Sequence, residues 1–306
     1  MLRRLALSLG LLALSGCAPG TMIAHNAPYF FRSPRPVEDR ITQPVRKDAR
    51  LAVLWIGHAS ALIQMDDKLI LADPVFTEIV LQLQRRMVEP GLWPKDLPKV
   101  DATIISHLHP DHLSLGSLEM IEKKVGVLVV PEEGTVAVPR FSFDTLELPT
   151  WRTMDVGGLH ITAVPVRHTG FRGLVDRGWL TKGFTGYVLE YHGLTVYFGG
   201  DSAYAKEQFR ETRARFPHID LALLAIAPKN PRSLMEDKHM DPEEALEAFQ
   251  DLGAKWMVPI HHSTFLQSVD GPTAEPEELA RLSHERGLDE RVRILRVGEQ
   301  RVFSSR

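Results

Sequence analysis

The stretch HLHPDH, His107 to His112, follows the apolar run Ala102 to Ile105 and precedes a helical pattern opening at Ser114. In an extended strand residues i and i+2 point the same way, so the His107 and His109 imidazoles can reach one point. Asp111 and His112 follow where the chain turns, and can reach a second point close by. A histidine cluster serving only a core would need a buried partner for every ring nitrogen. Imidazole and carboxylate instead suit borderline metals, zinc first and manganese or iron with it. The motif therefore calls for a strand-to-helix turn that carries ligands, and its four residues do not complete a two-metal site.

The remainder stands at the ends of other apolar runs. His168 follows VPVR, Asp201 follows YFGG and His261 follows KWMVPI. Singly, each has a plainer explanation: a hydrogen-bonded structural histidine, or an aspartate in a turn or at a helix N-cap. Together, in this order and all at the C-terminal ends of predicted strands, they read as the rest of the site. His25, His160, His192, His218 and His284 have no such company and read as surface residues.

Short apolar or alternating runs (LAVLWIG, SALIQM, KLILAD) predict a strand meander from Leu51, and DATIIS and GVLVV predict buried strands around the motif. Leu115, Leu118 and Ile121 lie at helical spacing, with Ser114 as N-cap and Gly126 near the stop. Further strands are predicted at LHITAVPV, FTGYVLEY, LTVYFGGD, IDLALLAI and KWMVPI. Helices are predicted around 203–214, over DPEEALEAFQDLG with Asp241 as cap and Pro242 first in the helix, and over 275–286. RVRILRVGEQRVFSS predicts a closing hairpin. Strands early in each half with helices interleaved give an α/β fold, two mixed β-sheets with helices on the outer faces, in one domain.

The 306 residues, 44% apolar and 25% charged, are ordinary for a globular protein with one large core. A formal charge of −3 supplies no basic surplus for nucleic acid. The N-terminus has a different texture. Arg3 and Arg4 precede an apolar run from Leu5 to Leu14, then small residues and Cys17. That is a secretory signal in outline, too short in its apolar part to span a membrane. LSGC resembles the lipobox of bacterial lipoproteins, and Cys17, the only cysteine, suits the attachment point and excludes an internal disulfide. The expected organisation is a lipoprotein signal over 1–17, a proline-rich tether or irregular arm over 18–48, and a catalytic domain over 49–306. More than one lipid chain at Cys17 would hold the protein stably on a membrane. Ala18 after the cysteine implies, by the Gram-negative sorting rule, the outer membrane of the cell envelope.

HxHxDH followed by separate His, Asp and His resembles the metallo-β-lactamase-fold hydrolases. The segments WIGHASALIQMDD, LADPVF, DATIISHLHPDHL, VPVRH, FGGDSAY, HMDPEEALEAF, PIHHSTF and RVGEQR resemble one branch, the N-acylphosphatidylethanolamine-hydrolysing phospholipase D type. They run from Trp55 to Arg301. The resemblance implies an αββα sandwich and a dinuclear zinc site. His107, His109 and His168 would bind one zinc, Asp111, His112 and His261 the other, and Asp201 would bridge them. Two metals a few ångströms apart hold a hydroxide and lower its pKa toward neutrality; Asp111 would orient it and accept its proton.

The same resemblance places His58 and Asp73 behind the ligands, although Asp73 before Pro74 also reads as a turn aspartate. It places His239 near the active site, as acid or substrate contact. It selects His261 over His262, being four positions before Phe265; His262 stands where the phospholipase type usually has tryptophan. Two departures concern the substrate: RHTGFRGLVD replaces the branch's QHW, with Thr169 in place of an aromatic wall, and AIAPKNPRSLMEDKHM lacks its GAYEP core. The implied activity is phosphodiester hydrolysis of an N-acylated phospholipid, giving phosphatidic acid and an N-acylethanolamine. A lactonase or other ester or amide hydrolase of the same fold is the alternative, and a non-catalytic metal-binding envelope lipoprotein stands behind both. Relatives of the phospholipase type are dimeric, which admits a homodimer.

Overall fold

In a computed structural model, residues 25–29, 31–80, 84–170 and 182–306 are described. The lipobox at Cys17, the signal segment and residues 171–176 of the RHTGFRGLVD segment lie outside them. β1 (Ala49–Gly57), β2 (Ser60–Met65) and β3 (Lys68–Ala72) form the antiparallel meander that their apolar runs predict. A short ribbon, β4 (Ile79–Val80) with β5 (Gln84–Arg85), follows. Then β6 (Val100–Ile104), α1 (Leu115–Ile121), β7 (Val125–Pro131) and β8 (Asp144–Leu148) continue the sheet, each strand parallel to the one before.

The second half has the same plan. β9 (Thr153–Val156), β10 (Leu159–Val164), β11 (Gly186–Tyr191) and β12 (Leu194–Phe198) are antiparallel. α2 (Lys206–Arg215) leads to β13 (Leu221–Ala225), parallel to β12. The short α3 (Arg232–Met235) and α4 (Pro242–Leu252) lead to β14 (Trp256–Ile260), parallel to β13. α5 (Ala274–Glu285) and β15 (Gln300–Ser305) complete the chain. The strand orders are β15-β1-β2-β3-β6-β7-β8 and β14-β13-β12-β11-β10-β9.

The sheets face each other across one core. Val53, Trp55 and Ile63 from the first meet Ile161, Tyr187, Leu189 and Val258 from the second. Leu246 and Phe249 of α4 and Leu279 of α5 cover the outer face at Tyr197, Leu224 and Met257. Leu118 and Ile121 of α1 cover Leu71, Leu128 and Val130. Strands buried on both faces explain why these runs are apolar without alternation. The result is the αββα sandwich. α4 starts as its sequence predicts, with a capping box between Asp241 and Glu244 and Pro242 in its first turn.

One reading is corrected. The closing hairpin does not form: 291–293 bonds to Met257 at the edge of the second sheet, while β15 pairs antiparallel with β1 at the edge of the first. Each half of the segment satisfies a different exposed edge, a larger gain than pairing with itself. Gly126 does lie near the stop of α1, which gives way to a single-turn helix at Glu122–Lys124; the glycine follows in β7, where a Cβ would meet the Asp101 carbonyl oxygen at 2.4 Å. The proline-rich segment is an arm from Arg35 onward. Arg35 exchanges backbone bonds with Met87 and Glu89, and Arg40 bonds Glu89 and stacks on Trp93.

Candidate metal centre

The loops that follow β6, β10, β12 and β14 carry the site. β6 ends at Ile104, and Ser106 to His112 form the turn into α1. His168 follows β10, Asp201 follows β12 and His261 follows β14. The second of the two glycines before Asp201 has a steric cause. Gly200 has φ +55°, and a Cβ on it would lie 2.2 Å from Ser106 Cβ. Only glycine lets the aspartate loop close against the histidine loop.

The ligand atoms converge in two groups that share one oxygen. His107 Nε2 lies 2.8 Å from His109 Nδ1, and His168 Nε2 lies 3.4 Å from the same nitrogen. Asp201 Oδ2 stands 3.9 Å from His107 Nε2 and 4.0 Å from His168 Nε2. On its other side Asp201 Oδ2 is 3.3 Å from His112 Nε2 and 3.0 Å from His261 Nε2. Asp111 Oδ2 lies 3.9 Å from both of those nitrogens. Around one tetrahedral ion with bonds of about 2.0–2.2 Å, ligand atoms stand roughly 3.3–3.6 Å apart. Both groups are close to that spacing. His112 Nε2, His261 Nε2 and Asp201 Oδ1 are moreover buried without a hydrogen-bond partner, a condition that native structures rarely leave uncompensated. The residues fit a pair of divalent ions, and the imidazole–carboxylate donor set suits zinc, manganese or iron.

The backs of the rings are held. His112 Nδ1 donates to Asp73 Oδ2 at 2.7 Å, and the fully buried Asp73 also accepts from Ser106 N at 2.7 Å and Ser106 Oγ at 2.6 Å. Asp73 is a turn residue as well, with φ +38°. His168 Nδ1 donates to the Lys238 carbonyl at 2.9 Å, and His107 Nδ1 lies 3.0 Å from Ser106 Oγ. These contacts fix which nitrogen of each ring faces the centre. His58 Nε2 sits 3.1 Å from Asp111 Oδ2, and Gln267 Nε2 donates to the same oxygen at 2.6 Å.

Burial lowers the pKa of His58 and His168 to about 3, and lowers His107, His109 and His239 as well. Those rings are neutral, the form that ligates metal. Burial also works against charge on His112, but Asp201 and Asp73 outweigh it and raise that ring while no metal competes. For Asp111 and Asp201 burial favours the neutral acid, yet the surrounding imidazoles hold both well below the usual carboxylate range.

Residues 68–262, more than half of the chain, match the family described as beta-lactamase superfamily domain. The chain belongs to the beta-lactamase superfamily. It is 28% identical over 263 residues to the mitochondrial N-acyl-phosphatidylethanolamine-hydrolyzing phospholipase D of Saccharomyces cerevisiae, covering 81% of this chain and 55% of that protein. The chain thus spans about half the length of that relative. It is 29% identical over 255 residues to a metal-dependent hydrolase of Methanopyrus kandleri, covering 81% of this chain and 98% of the relative. Igni18, a metallo hydrolase from Ignicoccus hospitalis, superposes with a TM-score of 0.61 at 22% identity, covering 82% of this chain and 97% of that one.

All seven ligand candidates meet at this centre, with His58, Asp73 and His239 around them. His239 Nδ1 lies 3.6 Å from Asp201 Oδ2, and its side chain is 12% exposed. His262 turns away, stacking on Trp55 at 4.5 Å between ring centroids. The five histidines read as surface residues are exposed. Sequence reasoning missed Ser106, Gln267 and the Lys238 carbonyl. Ser106 adjoins the motif and could have been read as its brace. Gln267 and Lys238 sit in irregular loops, and a backbone carbonyl leaves no mark on a sequence.

Proposed function

We propose that the protein is a dinuclear zinc phosphodiesterase acting on N-acylphosphatidylethanolamine-like phospholipids. One observation carries the reading: two three-residue ligand groups that share Asp201 Oδ2. His107, His109 and His168 would hold one ion and Asp111, His112 and His261 the other. Two ions so placed supply a water nucleophile near neutral pH and a positive clamp for the attacked group, which suits a phosphodiester with its anionic oxygens. The similarity to the yeast phospholipase supports this substrate class.

The chain's own residues prepare the step. Asp73 and Lys238 fix the tautomers of His112 and His168. His58 and Gln267 hold Asp111 as an anion that orients water. His239, neutral and partly open to solvent, is positioned to contact the phosphoryl group or pass a proton to the leaving alkoxide. Hydrolysis of an ester or lactone is the second reading, and Thr169 favours it. Its hydroxyl is buried without a hydrogen-bond partner where the phospholipase type has an aromatic wall.

On the same reading the mature chain begins at Cys17, lipid-anchored to the outer membrane beside its substrate. Loss of palmitate labelling and release from the membrane fraction in Cys17→Ser would support that anchor. The activity is tested with purified protein and a panel of N-acylphosphatidylethanolamine, phosphatidylcholine and an acyl-homoserine lactone, with His109→Ala as control. Phosphatidic acid from the first lipid alone is the expected result. Homoserine without phosphatidic acid would sink the phospholipase reading, and two bound metals without any hydrolysis would favour a binding protein.

A further inference from the structure

His261 differs from the other ligand rings. The distal nitrogens of His107, His112 and His168 each have a protein partner, but His261 Nδ1 is buried without one. Beside it lies a cavity of about 20 Å³, lined by His261, His262, Ser263, Gln267, Ser268 and Glu275 among others. A polar cavity of roughly 10–15 Å³ or more holds one water when it offers two to four partners. Three groups here qualify. His261 Nε2 faces Asp201, so in the ligating tautomer Nδ1 carries the proton and donates. His262 Nδ1 lies 2.9 Å from Ser263 Oγ, whose own proton goes to the Pro272 carbonyl at 3.2 Å. His262 Nδ1 is therefore the donor of that pair, and its buried, unpartnered Nε2 is a bare acceptor. Glu275, in the first turn of α5 and only 5% exposed, supplies a carboxylate. Burial raises its carboxyl pKa.

We propose that this cavity holds one ordered water that accepts from His261 Nδ1 and donates to Glu275 and His262 Nε2. Glu275 is then a positioning residue: through the water it fixes the tautomer and plane of the ring that holds the second metal. Asp73 does the same for His112 by direct contact. The inference rests on His261 being a ligand.

Zinc titration against a chromophoric chelator tests it, using wild type, His261→Ala, Glu275→Leu and the isosteric Glu275→Gln. Wild type should bind two equivalents and His261→Ala one. Glu275→Leu should weaken the second equivalent about tenfold or more and leave the first unchanged. Glu275→Gln, which keeps an acceptor but loses the charge, should weaken it less. Cobalt-substituted protein should show the same ranking as a shift in the visible band of the second equivalent, which a merely structural role would not move. If both Glu275 variants bind the second zinc as wild type does, the water bridge is wrong and the ligand assignment stands. If His261→Ala keeps two equivalents, the ligand assignment falls and takes the bridge with it.

Discussion

Replacing Asp73 with Asn changes one atom's hydrogen-bonding sense and little else, so it isolates what the carboxylate does behind His112. Asp73 Oδ1 accepts from Ser106 N at 2.7 Å, and Oδ2 faces Ser106 Oγ at 2.6 Å and His112 Nδ1 at 2.7 Å. An ionised carboxylate only accepts, so His112 Nδ1 carries the proton and Nε2 turns a lone pair to the centre. Asn must keep its oxygen at the Ser106 amide, or two buried donors collide. Its NH₂ then points at His112 Nδ1, which must give up its proton. The proton moves to Nε2, the atom 3.3 Å from Asp201 Oδ2, and occupies the lone pair a metal needs. Loss of such an outer partner costs about 10–100-fold in metal affinity, or about 1.4–2.7 kcal/mol. The second equivalent of zinc should weaken by that factor and the first should hold. The melting temperature of the metal-free protein should fall as well, since Asn fills the same space but removes one of the two carboxylates that raise the buried His112 ring. Calorimetric zinc titration of Asp73→Asn beside wild type measures this. Two equivalents bound with wild-type affinity would refute the tautomer argument.

Three more perturbations bear on other parts of the site. Gly200→Ala places a methyl 2.2 Å from Ser106 Cβ at φ +55°; left-handed strain of about 1–2 kcal/mol and overpacking of about 1–3 kcal/mol should lower the urea midpoint, and an unchanged midpoint would show that the loop yields. His239→Ala should retain both metals while turnover falls about 10²–10⁴-fold; activity near wild type would remove His239 from the reaction. Acid should destabilise the metal-free protein: His58 and His168 sit near 3 when folded against about 6.5 when unfolded. Their contribution is fully present above about 6.5 and is lost as pH falls through that window, because the unfolded chain takes up protons that the native one refuses. His112, raised when folded, works in the opposite sense, one ring against the five that burial lowers. Denaturant melts between pH 7 and 4 should show a net fall, and a flat profile would mean that the rings protonate in place.

The candidate ligands were legible because each closes an apolar run whose length and burial mark a strand, so spacing in the sequence maps onto one edge of the fold. His107, His109, Asp111 and His112 declare themselves together, and His168, Asp201 and His261 gain meaning only in their company. The edges of the sheets were harder to read. β8 is mostly exposed or half-buried and has no apolar run to announce it, and the fate of 291–305 depends on which edges stand open elsewhere. Gln267 donates to Asp111 across 156 positions. No local pattern in the loop after His261 points to so distant a partner.

The backbone at the site shows why these loops are specified so closely. His58, Asp73, His261 and Ser263 all have positive φ, from 38° to 65°, although none is glycine. Such residues are uncommon outside turns built to hold them, and strain of about 1–3 kcal/mol each persists only where the surroundings over-determine it. Here they do. Trp55 Nε1 and the His261 amide both donate to the His58 carbonyl, and Thr264 Oγ1 accepts from the His58 amide. Asp73 N donates to the Ile104 carbonyl at the end of β6. The strained residues are thus tied to β1, to β6 and to one another, and the ties cross from one sheet to the other. A ligand on an unstrained loop could drift as its neighbours moved. A ligand whose backbone is held out of its preferred region by both sheets can move only if the sheets part, and the shared core between them prevents that. The sandwich therefore does more than carry the loops: its rigidity sets the distances between Asp201 Oδ2 and the two groups of rings.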